Sequence, residues 1–191
     1  DTIADLCQKI YAANVDAMTQ TLGLLRPEAV RAAASLMMGA DKVLCMGQGG
    51  SMILAQEAAH LFATALPNFF PVVDSHIQAM LTAQLTRRDV VLYFSYSGST
   101  KELLDNLKIA RERGAGVILI TRFPKSPGAA YADVVLQCGS HEGPFQGGSV
   151  AARIAQLYVV DVLFSELCRR DLEGCRERRE LVAEVLSDKH I

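Results

Sequence analysis

The sequence has no long hydrophobic run and no recognisable export signal. None of its apolar segments reaches the roughly 18 residues that a membrane-spanning helix needs. Its N-terminal segment lacks the basic residues followed by an apolar stretch that form a signal peptide. We therefore predict a cytoplasmic protein that does not associate with a membrane.

Cysteine spacings typical of disulfide frameworks are also missing. The number of cysteines is odd, and no two of them form a C-x-x-C motif; they are Cys7, Cys45, Cys138, Cys168 and Cys175. Small secreted domains that are cross-linked by disulfides usually have an even number of cysteines at characteristic spacings. We expect reduced thiols, and we predict neither a metal nor a cofactor.

Neither sign of charge is in large excess. Lysine and arginine number 19 against 21 acidic residues, which gives a formal net charge of −2. A nucleic-acid-binding domain normally carries a basic stripe or a strongly positive charge. We therefore do not predict that this chain contacts DNA directly.

Length and composition fit one globular domain. The chain has 191 residues, of which 50% are hydrophobic, so it is long enough to bury a substantial core. It begins at Asp1 rather than at a methionine. We expect it to be a piece of a longer protein with a further domain.

The spacing of apolar residues predicts strands that alternate with helices. Two helices come first, over residues 2–24 and from Pro27 to about Gly39, because proline suits a first helical turn and glycine a helix end. In the second strand Pro71 indicates an edge position. The predicted strands are 42–46, 69–73, 90–95, 116–121 and 132–138, and the predicted later helices are 51–66, 75–85, 99–114, 148–170 and 175–188.

The apolar character of these strands defines the fold class. Strands that are apolar throughout and alternate with helices form a parallel sheet that is covered on both faces. We therefore predict an α/β protein, a three-layer α/β/α sandwich with a five-stranded parallel sheet preceded by an N-terminal helix. Ligands of such sheets bind beyond the carboxyl ends of the strands.

The first strand is followed by the glycine-rich loop GQGGS, residues 47–51. Its glycines allow close approach of a ligand, and Ser51 is predicted to cap the next helix and to leave N–H groups directed at an anion. The dinucleotide-binding motif does not fit, because Met52 occupies its third glycine position, and the P-loop motif is absent. Taken alone, the loop is equally consistent with a tight turn.

The third strand is followed by the hydroxyl-rich turn SYSGST. Ser99 and Glu102 have the spacing of a capping box, so we predict that Ser99 caps the next helix. That role leaves Ser95, Ser97 and Thr100 unexplained. Hydroxyls and unpaired N–H groups at the positive end of a helix dipole suit a phosphate, so two such loops on neighbouring βα units predict an anion site.

The pairing of GQGGS with SYSGST resembles the sugar isomerase (SIS) domain, which binds phosphorylated sugars. Three further segments are similar to the C-terminal effector domain of RpiR-family transcriptional regulators, and the similarity covers nearly the whole chain. They are VVDSHIQ, RRDVVLYFSYSGSTKELLDNLKIARERGAGVILIT and GGSVAARIAQLYVVDVLF. In that family a helix-turn-helix domain precedes the sugar-binding domain, and this chain shows no such segment.

The resemblance implies three parts and a set of partners. Residues 1–40 would be helices that link to the missing DNA-binding domain and make packing or dimer contacts. Residues 41–173 would form the flavodoxin-like SIS core, and residues 174–191 a C-terminal helix. The implied partners are a phosphorylated sugar and other copies of the chain, in a homodimer or tetramer. DNA would be contacted only through the absent domain.

The resemblance also assigns the phosphate to hydroxyl and backbone groups of both loops. The implied ligand residues are Gly49, Gly50, Ser51, Ser95, Tyr96, Ser97, Gly98, Ser99 and Thr100.

The sugar end of the site is less determined. His76 begins the helix after the second strand and would reach the pocket rim, although such a histidine is also typical of the surface. Glu142 follows the fifth strand, where SIS proteins place groups that contact the sugar, but it also fits an exposed loop charge. Arg153 would approach an anion or pair with a carboxylate, and we leave it outside the site. Lys101, a cation in a first helical turn, indicates a nearby anion.

An isomerase would need a base beside the carbon next to a carbonyl, and a second group that moves protons. His76, Glu57, His141 and Glu142 are candidates, but none lies in a motif that specifies catalysis. The isomerase hypothesis therefore rests on analogy of fold, which is weak evidence for function. The sequence favours a phosphosugar-sensing regulator domain, with no catalytic residue assigned, over a phosphosugar isomerase.

Overall fold

The computed structural model describes residues 2–140, 149–187 and 189, in which helices and strands alternate as the sequence predicts. In chain order the elements are α1 (Ile3–Leu24), α2 (Pro27–Met38), β1 (Lys42–Gly47), α3 (Gly50–Ala63), β2 (Phe69–Pro71), α4 (Ser75–Thr82), β3 (Asp89–Phe94), α5 (Lys101–Arg113), β4 (Gly116–Thr121), a short 3₁₀ helix (Gly128–Tyr131), β5 (Val134–Gln137), α6 (Val150–Arg170) and α7 (Leu172–Ser187).

The five strands form one parallel sheet in the order β2-β1-β3-β4-β5. β2, which contains Pro71, lies at an edge, as predicted. β1 and β3 are neighbours in the sheet although β2 lies between them in sequence, so the strand order reverses at this pair. Because Gly47 at the end of β1 pairs with Phe94 at the end of β3, the loops that follow the two strands lie side by side.

Alternate residues of β1, β3 and β4 belong to two separate hydrophobic clusters. On β1, Val43 and Cys45 belong to the cluster beneath α2, α3 and α6, while Leu44 and Met46 belong to the cluster beneath α5. Both sets are fully or almost fully buried, as strands covered on both faces must be. The predicted three-layer α/β/α sandwich is confirmed.

The buried residues of helix α1 lie in its second half. Thr2 and Asp5 form a capping box at its start, which fixes where the helix begins. Residues 2–13 are all exposed, and the buried residues of the helix are Ala17 and Thr21, on the side that packs against α6. The first half of α1 therefore presents apolar side chains such as Ile3 and Ile10 to solvent.

Helix α7 begins earlier in the chain than the sequence predicts. Asp171 leaves the helical conformation with φ −134°, and α7 begins at Leu172 rather than at Cys175. The Asp171 carboxylate accepts hydrogen bonds from the N–H of Gly174 (3.2 Å) and the Nη2 of Arg178 (2.6 Å). These local bonds stabilise the new helix start and explain the shift.

Within residues 2–140, 149–187 and 189, no helix combines the length and the apolar character required to cross a bilayer. All five cysteines lie in these ranges, and none of them takes part in a disulfide bond.

Thr21 links α1 to the loop after β5. Its hydroxyl donates to the carbonyl of Ala17 (2.7 Å) and accepts from the N–H of Gly139 (2.9 Å). Thr21 is fully buried, so this hydroxyl satisfies a backbone donor that water does not reach.

Replacing Thr21 with valine keeps the side-chain shape but leaves the Gly139 N–H without its acceptor. We expect the Thr21→Val variant to lose about 1–3 kcal/mol of unfolding free energy in urea denaturation. Thr19→Val is the matched control on the same helix, because the exposed Thr19 hydroxyl donates only to the carbonyl of Val15. The control should change stability by less than about 0.5 kcal/mol. Equal losses in the two variants would contradict the role assigned to Thr21.

Candidate functional site

Two adjoining cavities open at the carboxyl ends of β1 and β3. The first, here called the serine cavity, has a volume of about 180 Å³ and is lined by Gln48, Ser51, Phe94, Ser95, Tyr96, Ser97 and Thr100. The second, here called the arginine cavity, has a volume of about 110 Å³ and is lined by Gln48, Gly50, Ser51, Leu54, Tyr96, Ala152, Arg153 and Gln156. Gln48, Ser51 and Tyr96 line both cavities, so the two form one continuous site.

The loop GQGGS places Ser51 inside the first turn of α3. Helix α3 begins at Gly50, and its N-cap residue is Gly49, whose φ of 54° lies in the region that favours glycine. The predicted capping role of Ser51 is therefore wrong, because the chain already turns into the helix at Gly49. Among the described residues no side chain makes a capping hydrogen bond to this helix, so the Ser51 hydroxyl does not act as a cap, and Ser51 lines both cavities.

In SYSGST, two hydroxyls hold the turn together. The Oγ of Ser95 accepts from the N–H of Gly98 (3.1 Å), and the Oγ of Ser97 accepts from the N–H of Ser99 (3.3 Å). Two of the backbone N–H groups that the sequence predicts to bind an anion therefore already donate hydrogen bonds within the turn. Ser95 is 5% exposed, so it shapes the cavity from below, whereas Ser97 is exposed at its mouth.

The predicted cap of α5 is also wrong. The helix begins at Lys101, its N-cap residue is Thr100, and no side chain makes a capping hydrogen bond there. The local turn between Ser97 and Ser99 carries the chain past the expected start, so Ser99 lies before the cap. Ser99 lines neither cavity, whereas Thr100 lines the serine cavity with a hydroxyl that the helix does not use.

Gly98 fixes the shape of the turn. Its φ is 63°, and a Cβ placed on it would come within 2.1 Å of the Oγ of Ser126. Its carbonyl accepts from the N–H of Gly128 (2.8 Å), which ties the turn to the 3₁₀ helix. Both the backbone conformation and the close approach therefore require glycine.

A buried hydrogen-bond network positions Gln48, which the sequence analysis missed. The Nε2 of Gln48 donates to the Oε1 of Gln78 (2.8 Å) and to the phenolic oxygen of Tyr93 (3.3 Å). Gln78 also donates to the carbonyl of Gly47 (3.1 Å) and accepts from Asn106 (3.2 Å). Burial raises the pKa of Tyr93, so its phenol stays neutral and protonated at neutral pH. The only sequence signal for this network is an amide residue inside a glycine-rich loop.

Arg153, which the sequence analysis left outside the site, lies in the arginine cavity. A Cβ placed on Gly50 would come within 3.0 Å of the Nη2 of Arg153, so the guanidinium packs against the start of α3. Within residues 2–140, 149–187 and 189, the structure shows no carboxylate in ion-pair contact with it. The alternative explanation, pairing with a carboxylate, thus finds no support in these parts of the chain.

Of the candidates that lie in the described ranges, neither His76 nor Glu57 lines the two cavities. His76 is exposed in the first turn of α4 and lines neither cavity. Glu57 is exposed on α3, 3.9 Å from His60. Glu142 and His141 lie outside the described residues. Lys101 lies in the first turn of α5, as predicted, and its side chain is exposed.

The lining residues define what the site can do chemically. Hydroxyls, a guanidinium and amide groups face the two cavities, and among the described residues that line them there is no carboxylate, imidazole or amine. Hydroxyl and guanidinium donors next to two helix N-termini suit an anion with several acceptor oxygens. The described lining therefore has the chemistry of anion binding.

The chain belongs to the SIS domain family, because the family model for the SIS domain matches residues 36–166. A transcriptional regulator of the HTH type from Caldanaerobacter subterraneus is 33% identical over 191 residues, which are 100% of this chain and 68% of the relative. The Escherichia coli regulator RpiR is 27% identical over 169 residues, 88% of this chain and 57% of its own length. The expected likeness to the SIS domain of RpiR-type regulators is confirmed.

A solved structure agrees with this assignment. The Vibrio vulnificus NanR protein complexed with ManNAc-6P superposes with a TM-score of 0.92 at 25% identity, covering 97% of this chain and 70% of that one. The chain thus spans about two thirds of the length of several of these regulators.

The geometry of Gly98 generates a testable prediction. We expect Gly98→Ala to lose about 1–3 kcal/mol of unfolding free energy, because alanine disfavours a positive φ. Binding of an anion to the serine cavity should weaken in the same variant. The control is Gly23→Ala, because Gly23 lies in α1 with no atom within 4 Å of an added Cβ. The control should be neutral or stabilising by up to about 1 kcal/mol. A Gly98→Ala variant as stable as the wild type would contradict the requirement for glycine.

Proposed function

We propose that the chain is the phosphosugar-sensing effector domain of a transcriptional regulator. The observation that carries the proposal is the pair of hydroxyl- and arginine-lined cavities at the point where the strand order reverses. The NanR structure, with which the chain superposes closely, is of a complex with ManNAc-6P. That complex supports a phosphorylated sugar as the class of ligand.

The phosphate would lie in the serine cavity. The hydroxyls of Ser51, Ser97 and Thr100 line it, and none of them acts as a helix cap. Helices α3 and α5 both begin there, so the positive ends of two helix dipoles favour the negative charge. Ser95, buried below, holds the turn through Gly98 and keeps its own O–H available as a donor. Backbone groups of the two loops, from Gly49 and Gly50 to Tyr96, would complete the contacts.

The sugar would extend away from the phosphate toward the rim of the site. His76 and Glu142 remain proposed contacts there, from the start of α4 and from the loop after β5. Tyr96 lies between the cavities, and its phenolic O–H donates to the carbonyl of Ser140 (2.9 Å). The aromatic ring is therefore held in place before a ligand arrives.

The regulator would respond in the cytoplasm by changing how its subunits pack. The exposed apolar side chains on the first half of α1, among them Ile3, Leu6 and Ile10, suit contacts in a homodimer or tetramer. A ligand shifts such an equilibrium only by its difference in affinity for the two arrangements. The DNA would be bound by a helix-turn-helix domain outside this chain.

A phosphosugar aldose–ketose isomerase is the second candidate function. A phosphoheptose isomerase from Francisella tularensis shares the fold, with a TM-score of 0.72 at 21% identity. The absence of a carboxylate, imidazole or amine among the described lining residues disfavours it, because isomerisation needs a base at the reacting carbon. The names of the sequence relatives also favour a regulator.

Thermal unfolding with matched ligands tests the proposal. We expect at least one phosphorylated sugar from a panel of hexose, pentose and amino-sugar phosphates to raise the melting temperature, while its unphosphorylated counterpart does not. A ligand at 100 times its dissociation constant stabilises by about 2.7 kcal/mol, which is readily measured. Equal stabilisation by both members of a pair would overturn the phosphate assignment.

A pair of threonine variants tests whether the ligand binds in the serine cavity. Thr100→Val removes a hydroxyl from the serine cavity without removing a helix cap, so it should reduce the ligand-induced shift and preserve the fold. Thr19→Val makes the same change on the exposed side of α1 and should leave the shift unchanged. A Thr100→Val variant that responds like the wild type would place the ligand elsewhere.

A turnover assay separates the two candidate functions. The purified chain is incubated with each sugar phosphate that binds it, and the aldose and ketose forms are quantified. We expect no interconversion above the rate without protein. Turnover at about 1 per second or faster, ordinary for enzymes, would favour the isomerase.

A further inference from the structure

One acceptor in the arginine cavity is buried without a hydrogen-bond partner among the described residues. Gln156 lies on α6, is 2% exposed and lines this cavity beside Arg153 and Ser51. Its Nε2 donates to the carbonyl of Ala152 one helical turn earlier (3.3 Å), which fixes the orientation of the amide. Its Oε1 makes no hydrogen bond to any residue that the structure describes.

Such an oxygen is unusual, because buried polar atoms are nearly always hydrogen-bonded. Leaving it unpaired destabilises the free protein, since the oxygen has lost water and gained nothing in return. The cavity that Gln156 lines has polar side chains on a largely apolar wall and a volume of about 110 Å³, enough for a substituent of a few non-hydrogen atoms. An acceptor of this kind suits a ligand that brings a donor.

Arg153 supplies the complementary group in the same cavity. Its guanidinium carries donors only, packs against Gly50, and has no carboxylate partner in the described ranges. A group that satisfies both residues must donate to Gln156 and accept from Arg153. A hydroxyl or an acylamino group does both, whereas a carboxylate has no hydrogen for Gln156 and an alkyl group satisfies neither.

We propose that the arginine cavity is a sugar-recognition subsite, in which Gln156 and Arg153 read a hydroxyl or acylamino substituent of the sugar whose phosphate lies in the serine cavity. The inference rests on the proposed function, because the two cavities adjoin through Gln48, Ser51 and Tyr96. The subsite would discriminate between sugars because a sugar without this substituent leaves the buried side-chain oxygen of Gln156 without a hydrogen bond.

The Gln156→Leu variant tests this proposal, because it should weaken binding of the sugar without weakening binding of the phosphate. Affinities are measured by titration calorimetry for inorganic phosphate and for a hexose phosphate, an amino-hexose phosphate and its N-acetylated form. For the sugar phosphate that the wild type binds most tightly, we expect the variant to bind about tenfold or more weakly, a loss worth about 1.4 kcal/mol. Inorganic phosphate should change by less than about twofold, because it does not reach the subsite.

Two further measurements exclude a merely structural role. The melting temperature of unliganded Gln156→Leu should equal or exceed that of the wild type, because the substitution removes an unpaired buried acceptor. Gln84→Leu is the matched control, since the exposed Gln84 donates to the carbonyl four residues earlier as Gln156 does. The control should leave both affinities unchanged.

Deoxy analogues of the preferred sugar phosphate identify the group that is read. One analogue should bind the wild type about tenfold more weakly than its parent, yet bind Gln156→Leu as well as the parent does. If the subsite recognises an acylamino group, the analogue that lacks this group should show the same pattern of affinities for the wild type and the variant.

Each contrary result has a distinct meaning. Unchanged sugar-phosphate affinity in Gln156→Leu would overturn the subsite while leaving the proposed function intact. An equal loss for inorganic phosphate would also overturn it, because Gln156 would then support the phosphate loops instead. A wild type that binds none of the probes would overturn the proposed function, and the inference with it.

Discussion

The pairing of β1 with β3 is the constraint on which the rest of the site depends. Each of these strands leads into a helix whose N-cap residue is glycine or threonine, and the chain then continues in opposite directions across the sheet. Because Gly47 and Phe94 are partners in register, the starts of α3 and α5 converge on one point. Two helix dipoles and two sets of short polar side chains therefore meet in a crevice that neither loop would form alone.

The hydroxyl groups of this crevice are divided between holding the loop and facing the cavity. Ser95 and Ser97 accept hydrogen bonds from the turn, and Gly98 supplies the positive φ that the turn needs. Ser51 and Thr100 stand at helix starts without capping them. The backbone thus pre-organises the site before a ligand binds, which reduces the ordering that binding would otherwise require.

Below and beside the loops, amide side chains add a second layer of order. Gln78 is fully buried and connects β1 to α4 and α5 while it holds Gln48 at the cavity wall. Gln156 differs, because its side-chain oxygen is buried and has no hydrogen-bond partner in the part of the chain that the structure describes. A network in which every polar group is hydrogen-bonded makes the site rigid. A buried acceptor without a partner instead favours a ligand that donates a hydrogen bond to it. Both features suit a domain that recognises a ligand.

The sequence by itself determined the fold class, the order of the elements and the two loops, because strand apolarity, helical spacing and glycine-serine turns are local signals. It did not determine which hydroxyl caps a helix: Ser51 and Ser99 both have suitable neighbours, but loop geometry at Gly49 and at Ser97 moved the helix starts. Nor could it place Arg153 and Gln156, which lie about 100 residues along the chain from GQGGS and reach the cavity only because α6 packs against α3. Contacts between distant segments depend on how the layers pack, and no local pattern records that.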